Sequence, residues 1–208
     1  MTPELSVRNG EQRGGFTLLE VLIAVALIML AISGPFFAAA VAQIATLDSK
    51  NRFTASYLAQ EGIEYARMLR DDAYLGAYGA DVGDLSATAF YDHFLGGASS
   101  VSVYGCLGNP SGGLPGGDGS VACALDPALP VGVGAGKALQ ACPSPSSCPS
   151  LYLSGGEYTL TSGTPTIYAR SLRFYDFGAG VEIVSSVSWM SRGVTRSVSL
   201  TSYLFPWQ

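Results

Sequence analysis

Between Phe16 and Ala45 only Thr17, Glu20, Ser33 and Gln43 are clearly polar side chains. The rest of that stretch is apolar or small. About thirty helical residues rise about 45 Å, against roughly 30 Å of bilayer hydrocarbon, so the stretch can cross a membrane with residues to spare. Gly34-Pro35 falls past its midpoint. Proline removes a backbone donor and crowds the preceding turn, so a kink or local melting is expected at Gly34 and Pro35. From about Gln43 the pattern becomes two-faced. Ala55, Leu58, Gly62, Tyr65 and Leu69 share one helical stripe, and Arg52, Gln60, Arg67 and Arg70 lie opposite. Glu64 is spaced to meet Arg67 at i+3, and Arg67 to meet Asp71 at i+4. No stop signal divides the two patterns. The chain therefore reads as one helix over about 16–75, with 16–45 a transmembrane segment and 46–75 an amphipathic continuation.

Residues 76–208 read as a β-rich globular domain. Phe90 to Leu95 predicts a helical turn and Val101 to Tyr104 a strand. The tract 105–150, with "GNPSGGLPGGDG" and "CPSPSSCPS" inside it, reads as a long loop. Alternation returns near the end. Tyr168, Leu172 and Phe174 alternate with more polar neighbours; Val181, Ile183, Val187 and Trp189 share a face; so do Val194, Val198, Leu200 and Leu204. The turn Met190 to Gly193 joins the last two runs. Pairing Trp189 with Val194 across it keeps both apolar faces together. The fold class this predicts is α+β, a long N-terminal helix packed on a small antiparallel sheet with a disulfide-containing loop.

Composition narrows the function. Charged residues make up 13% of the 208, well under the usual quarter, and the net charge is −5. The leader 1–15 carries Glu4, Glu11, Arg8 and Arg13 and nets zero, so the acidic excess lies beyond it. No basic run suggests a nucleic-acid face. Cys106, Cys123, Cys142 and Cys148 all lie in or beside the Gly/Pro/Ser-rich tract and suit an oxidising compartment. Four cysteines allow three connectivities; Cys106–Cys123 with Cys142–Cys148 closes the shortest loops. Zinc is a poor fit, with no C-x-x-C and a single histidine, His93, far from the cysteine pairs. His93 reads as a solvated loop residue. Asp81-Val82-Gly83-Asp84 lacks the calcium-loop ligand spacing and reads as a turn, as does Asp118-Gly119. No nucleophile elbow or phosphate-binding glycine loop is present. The sequence shows no catalytic constellation and implies no cofactor or metal.

What remains is the stretch "QRGGFTLLEVLIAVALIML", a greasy helix with a carboxylate set in it. A plain single-pass anchor tolerates Glu20 near one end but explains neither the glycines nor the placement; an acid at mid-membrane costs about 2.5–3.5 kcal/mol. A secretory signal peptide finds its n-region at Arg8 and Arg13 and its small-residue site at Ala40-Val41-Ala42. Its n-region would net no positive charge, and Glu20 would interrupt the hydrophobic entry.

The residues Arg13-Gly14-Gly15-Phe16-Thr17-Leu18-Leu19-Glu20 closely resemble the cleavage and methylation motif of type IV prepilins and type II secretion pseudopilins. Ser56 to Asp71 is similar to the helix continuation of the I-type and PilV-like minor subunits, and Val187 to Leu204 to the closing hairpin of some prepilin-like proteins. The resemblance implies a type IV pilin-like fold with residues 1–15 as the prepilin leader. It implies cleavage between Gly15 and Phe16 by a prepilin peptidase, which also methylates the new Phe16 amine. It implies that Glu20 is the assembly residue, meeting that amine on a neighbouring subunit, and that Gly34-Pro35 loses helicity in a filament. The partners implied are the peptidase/methyltransferase, other pilin or pseudopilin subunits and the inner or cytoplasmic membrane, with no nucleic acid. The protein would be a structural subunit, not an enzyme. It would span the membrane once with its domain outside, then enter an extracellular or periplasmic filament. The other class left open is a secreted or single-pass anchored binding protein using 16–42 as signal peptide or anchor.

Overall fold

The computed structural model describes residue 15 and residues 17–80, 90–96, 102–108 and 117–206. The chain divides into two compact units, Met1–Leu47 and Asp48–Gln208. One helix, α1 (Leu18–Ala80), contributes to both. In the first unit its large apolar side chains, Leu18 to Leu47, are exposed, and it is long and apolar enough to cross a membrane. A soluble helix would hide such a surface against a core.

In the second unit α1 follows the two-faced pattern. Ala55, Leu58, Gly62, Tyr65 and Leu69 are all buried, while Arg52, Gln60 and Arg67 stay exposed. Alanines fill the same stripe at positions 59, 66 and 73, letting the helix sit close to the sheet. Glu64 pairs with Arg67 at 2.7 Å. The second expected pair does not form. Arg70 takes Asp71 at 2.8 Å, and the Arg67 fork turns to Ser202, donating at 3.1 Å. A partner offered by β-structure outcompetes an i+4 neighbour worth a few tenths of a kcal/mol. The helix also runs on to Ala80, beyond the expected end near 75.

Among the described residues seven antiparallel strands form one sheet: β1 (Ala122–Leu125), β2 (Leu139–Cys142), β3 (Ser150–Ser154), β4 (Glu157–Thr159), β5 (Thr164–Asp176), β6 (Val181–Ser191) and β7 (Val194–Leu204). β5 is the spine. One edge pairs with β6 along nine residues, and β7 extends the sheet beyond β6. The other edge is shared, with β3 bonded to its first half and β1 joining at Cys123–Leu172. The tract read as a loop over 105–150 is therefore partly strand. Its four-residue β1 is buried throughout and pairs with β2. Disulfides join Cys106 to Cys123 and Cys142 to Cys148, with Cα atoms 5.7 and 5.2 Å apart. These crosslinks hold short strands that glycine- and proline-rich sequence would not nucleate unaided.

Three local readings are corrected. Val101 lies outside the described residues, but Tyr104 opens a 3-10 turn (Tyr104–Cys106) instead of ending a strand. The Ser102 hydroxyl accepts the Tyr104 N–H at 3.0 Å, a turn-forming bond that competes with extended pairing. His93 sits half-buried in a π-helical turn, Phe90–Leu95, not in a loop, because Phe90, Phe94 and Leu95 draw that turn onto the core. The last hairpin is tighter than expected. Ser191 pairs with Val194 and Trp189 with Arg196, leaving only Arg192-Gly193 in the turn. Both have positive φ, 53° and 77°, the geometry that matches strand twist in two-residue hairpins. The register differs by two residues from the expected one, so the inward faces survive: a one-residue slip inverts them and a two-residue slip does not.

The core runs along the helix–sheet seam. Ala55, Leu58 and Ala59 meet Leu151, Tyr168, Val187 and Trp189. Further on, Ile63, Ala66, Leu69 and Ala73 meet Leu172, Phe174, Ile183 and Leu204. At Gly62 the approach is closest: a Cβ there would lie 2.5 Å from Ser185 Oγ and 3.5 Å from Leu172 Cδ1. Gly62→Ala should be close to neutral, because the serine hydroxyl can turn away and alanine favours helix by about 1 kcal/mol. Gly62→Val should lower stability by about 1–3 kcal/mol through overpacking. Thermal unfolding of the two variants checks the contrast; equal midpoints would refute the close approach.

A positive charge lies inside this seam. Arg170, on the inward parity of β5 between Tyr168 and Leu172, is fully buried. It donates to the carbonyls of Leu58 at 3.2 Å and Leu125 at 2.8 Å and pairs with Glu61. Burial pulls its pKa down, and Glu61 and then Asp126 push it back. The same guanidinium thereby ties α1, β5 and β1 together.

Candidate functional site at the start of the apolar helix

Gly15 is exposed and in no regular element, and a Cβ built on it would meet nothing within 4 Å. A peptidase needs a scissile bond in open, unstructured backbone, and glycine neither favours helix nor blocks approach. Phe16 lies outside the described residues, as do residues 1–14. Thr17 immediately precedes α1. Its carbonyl accepts the N–H of Glu20 at 3.0 Å and of Val21 at 3.2 Å, and its hydroxyl lies 3.3 Å from the Glu20 nitrogen. Thr17 is thus the N-cap of α1 and Glu20 its third residue, the spacing of a capping box.

This pairing was legible and missed. T-x-x-E before an apolar run is itself a helix-start signature, so part of what Glu20 does is local. Its carboxylate is exposed, one turn from the helix start, where the unsatisfied N–H groups favour a negative charge. Thr17 and Glu20 therefore fix where the helix begins relative to Gly15. Cleavage after Gly15 would place a cationic amine, of ordinary pKa about 7.7–8.0, within a turn of that carboxylate.

Gly34 and Pro35 lie inside α1, which is helical through both in the single chain. Pro35 has no N–H to give the preceding turn. Nearby, the Ser33 hydroxyl donates to the Leu30 carbonyl at 2.8 Å.

In the second unit a cavity of about 360 Å³ is lined by Glu61, Pro127, Ala128, Gly156, Glu157 and Tyr158. That lining pairs no nucleophile with a base. Asp81 and Asp84 lie outside the described residues. Asp118-Gly119 is a turn, with the Ser120 N–H donating to Asp118 Oδ1 at 2.8 Å.

The architecture defines a class: an α+β protein of type IV pilin-like build, with a long N-terminal apolar helix, an antiparallel sheet and disulfides in the connecting region. Within that class, residues 12–34 match the family model described as the prokaryotic N-terminal methylation motif, the type IV prepilin-like signal. The match contains Gly15, Phe16, Glu20 and Gly34 and stops before Pro35. Comparison with curated proteins and with solved structures finds no match to this chain.

Proposed function

We propose that the chain is a minor pilin or pseudopilin-like structural subunit. It is made as a prepilin and held in the inner or cytoplasmic membrane by α1. It is cut between Gly15 and Phe16, methylated at Phe16, and assembled with other pilin or pseudopilin subunits into a type IV pilus or type II secretion pseudopilus. The observation that carries this reading is the methylation motif over 12–34, set at the start of an exposed apolar helix. The fold and motif indicate a structural role, and the domain then faces the periplasm or the exterior. Disulfides in the second unit support that placement, since they persist in oxidising compartments. Glu20 is the assembly residue in this reading, and its partner is the amine of a neighbouring Phe16.

The test is the mature N-terminus. A mass spectrum of the protein from its native membrane should show N-methyl-phenylalanine at Phe16 and no leader. Gln43 at the terminus would show signal-peptidase cleavage after Ala42, and intact Met1 a plain anchor. Either overturns the proposal in favour of a secreted or anchored binding protein.

A further inference from the structure

The last strand of the sheet has an open side. Among the described residues β7 pairs with β6 and with no other strand. The Arg192-Gly193 turn fixes which backbone groups that pairing uses. In a two-residue hairpin with both turn residues at positive φ, the closing pair, Ser191 and Val194, is hydrogen-bonded, and such pairs recur at every second residue. The even-numbered residues from Val194 to Leu204 therefore bond to β6. Thr195, Ser197, Ser199, Thr201 and Tyr203 turn their N–H and C=O groups to the open edge, and all five are exposed. Proteins ordinarily blunt such an edge with proline, a bulge or a charge. β7 contains no proline, and its register with β6 runs unbroken from Val194 to Leu204. Its one charged side chain, Arg196, lies near its start, 3.6 Å from Asp48 of α1. From Ser197 to Leu204 none of these devices is present.

A row of backbone donors and acceptors is complementary to another extended polypeptide. The side chains narrow its kind. Val198 and Leu200 pack on the core and are only partly buried, so a strand laid beside β7 would continue that apolar face with its own alternate residues. On the other face Ser197, Ser199 and Thr201 present small hydroxyls. A second copy of this chain does not fit. Its other edge strands, β2 and β4, have four and three residues, too few to cover Ser197 to Leu204. Two copies of β7 make equivalent bonds edge to edge only when antiparallel, about an axis normal to the sheet. That axis turns the copy's share of α1 end for end. The Asp48 ends, from which each chain leads back into its apolar stretch of membrane-crossing length, would face opposite ways. The two could not enter one membrane from the same side.

We propose that the edge of β7 from Ser197 to Leu204 receives an added β-strand from a different subunit of the filament or pseudopilus. This rests on the assembly reading given under Proposed function. Main-chain bonds to Ser197, Ser199, Thr201 and Tyr203 hold the strand, and apolar residues at its alternate positions cover Val198 and Leu200.

Single-residue hydrogen exchange tests this on the full-length chain, purified in detergent and again in sheared filament or pseudopilus fractions. Absence of the chain from those fractions overturns the assembly reading, and the added strand with it. In detergent the N–H groups of Ser197, Ser199, Thr201 and Tyr203 should exchange about tenfold or more faster than those of Val198, Leu200 and Ser202, which bond to β6. Equal rates would overturn this account of the edge. In the fractions the first four should slow by about tenfold or more; unchanged rates overturn the added strand alone. Slowing that appears in detergent as the chain is concentrated assigns the edge to a second copy and overturns the different subunit. Thr201→Pro removes one outward N–H and no bond to β6. It should melt within about 2 °C of wild type and enter the fractions about tenfold less. Ser197→Lys with Thr201→Lys keeps every backbone donor and adds charge to the edge. It should show the same loss of incorporation, and it decides the matter if the proline variant melts lower. Normal incorporation of the lysine variant overturns the added strand.

Discussion

Glu20→Ala and Glu20→Gln are expected to be cleaved after Gly15 as the wild type is, yet to enter filaments about tenfold less or worse. A lone carboxylate in hydrocarbon is unfavourable by about 2.5–3.5 kcal/mol. Opposite charges about 4 Å apart at an effective dielectric near 20 attract by about 4 kcal/mol. The two terms are close, so in the proposed assembly the pair would contribute little net stability and its value would lie in register. Removing the carboxylate makes the helix easier to insert and, on that proposal, would leave the neighbour's amine without a partner. Glutamine is the sharper test, because it keeps size and hydrogen bonding and drops only the charge. The helix start should hold in both variants, since the Thr17 bonds go to the backbone N–H groups of residues 20 and 21. Filament fractions, blotted for the subunit beside its processed pool in the membrane, give the ratio. Normal incorporation of both variants with intact cleavage would sink the role.

The second large effect lies in the folded unit. Arg170→Ala should lower its stability by about 3–5 kcal/mol, the usual result of breaking a buried pair from one side. The substitution leaves the Leu58 and Leu125 carbonyls without their donor, takes Glu61's partner away and opens a cavity at the seam. A domain of this size should then melt roughly 10 °C lower. Arg170→Lys should recover only part of that loss, because one ammonium cannot span two carbonyls and a carboxylate as a planar fork does. Thermal unfolding of the full-length protein in detergent, with disulfides intact, measures all three. An Arg170→Ala midpoint within a degree or two of wild type would show that the guanidinium is dispensable.

Most of α1 was readable because its signals are local. The change from all-round apolar to a one-sided stripe near Gln43 falls close to the division of the chain at Leu47. The inward positions of the last strands were equally plain, since alternation survives any even shift in register. Arg170 shows how an inward position can still mislead. Its parity with Tyr168, Leu172 and Phe174 marks it as inward, but an arginine among apolar residues reads as solvent-facing until its acceptors are known, and those come from positions 58, 61 and 125. The region 105–150 was misread for a related reason. Its strands are four residues long, and what makes them strands is β5 alongside and two crosslinks, neither of which leaves a periodic trace.

The sequence alone determined the methylation motif over 12–34, the apolar helix with its single acid and the antiparallel meander, because each depends on chemistry within a few residues. Tertiary structure decided the rest. It chose which partner Arg67 takes, set the two-residue turn at Arg192-Gly193, buried Arg170 among acceptors from α1 and β1 and brought Arg196 to the Asp48 that Arg52 also approaches. Charge and hydrogen bonding act over a few ångströms of space, and only folding determines which distant residues come that close.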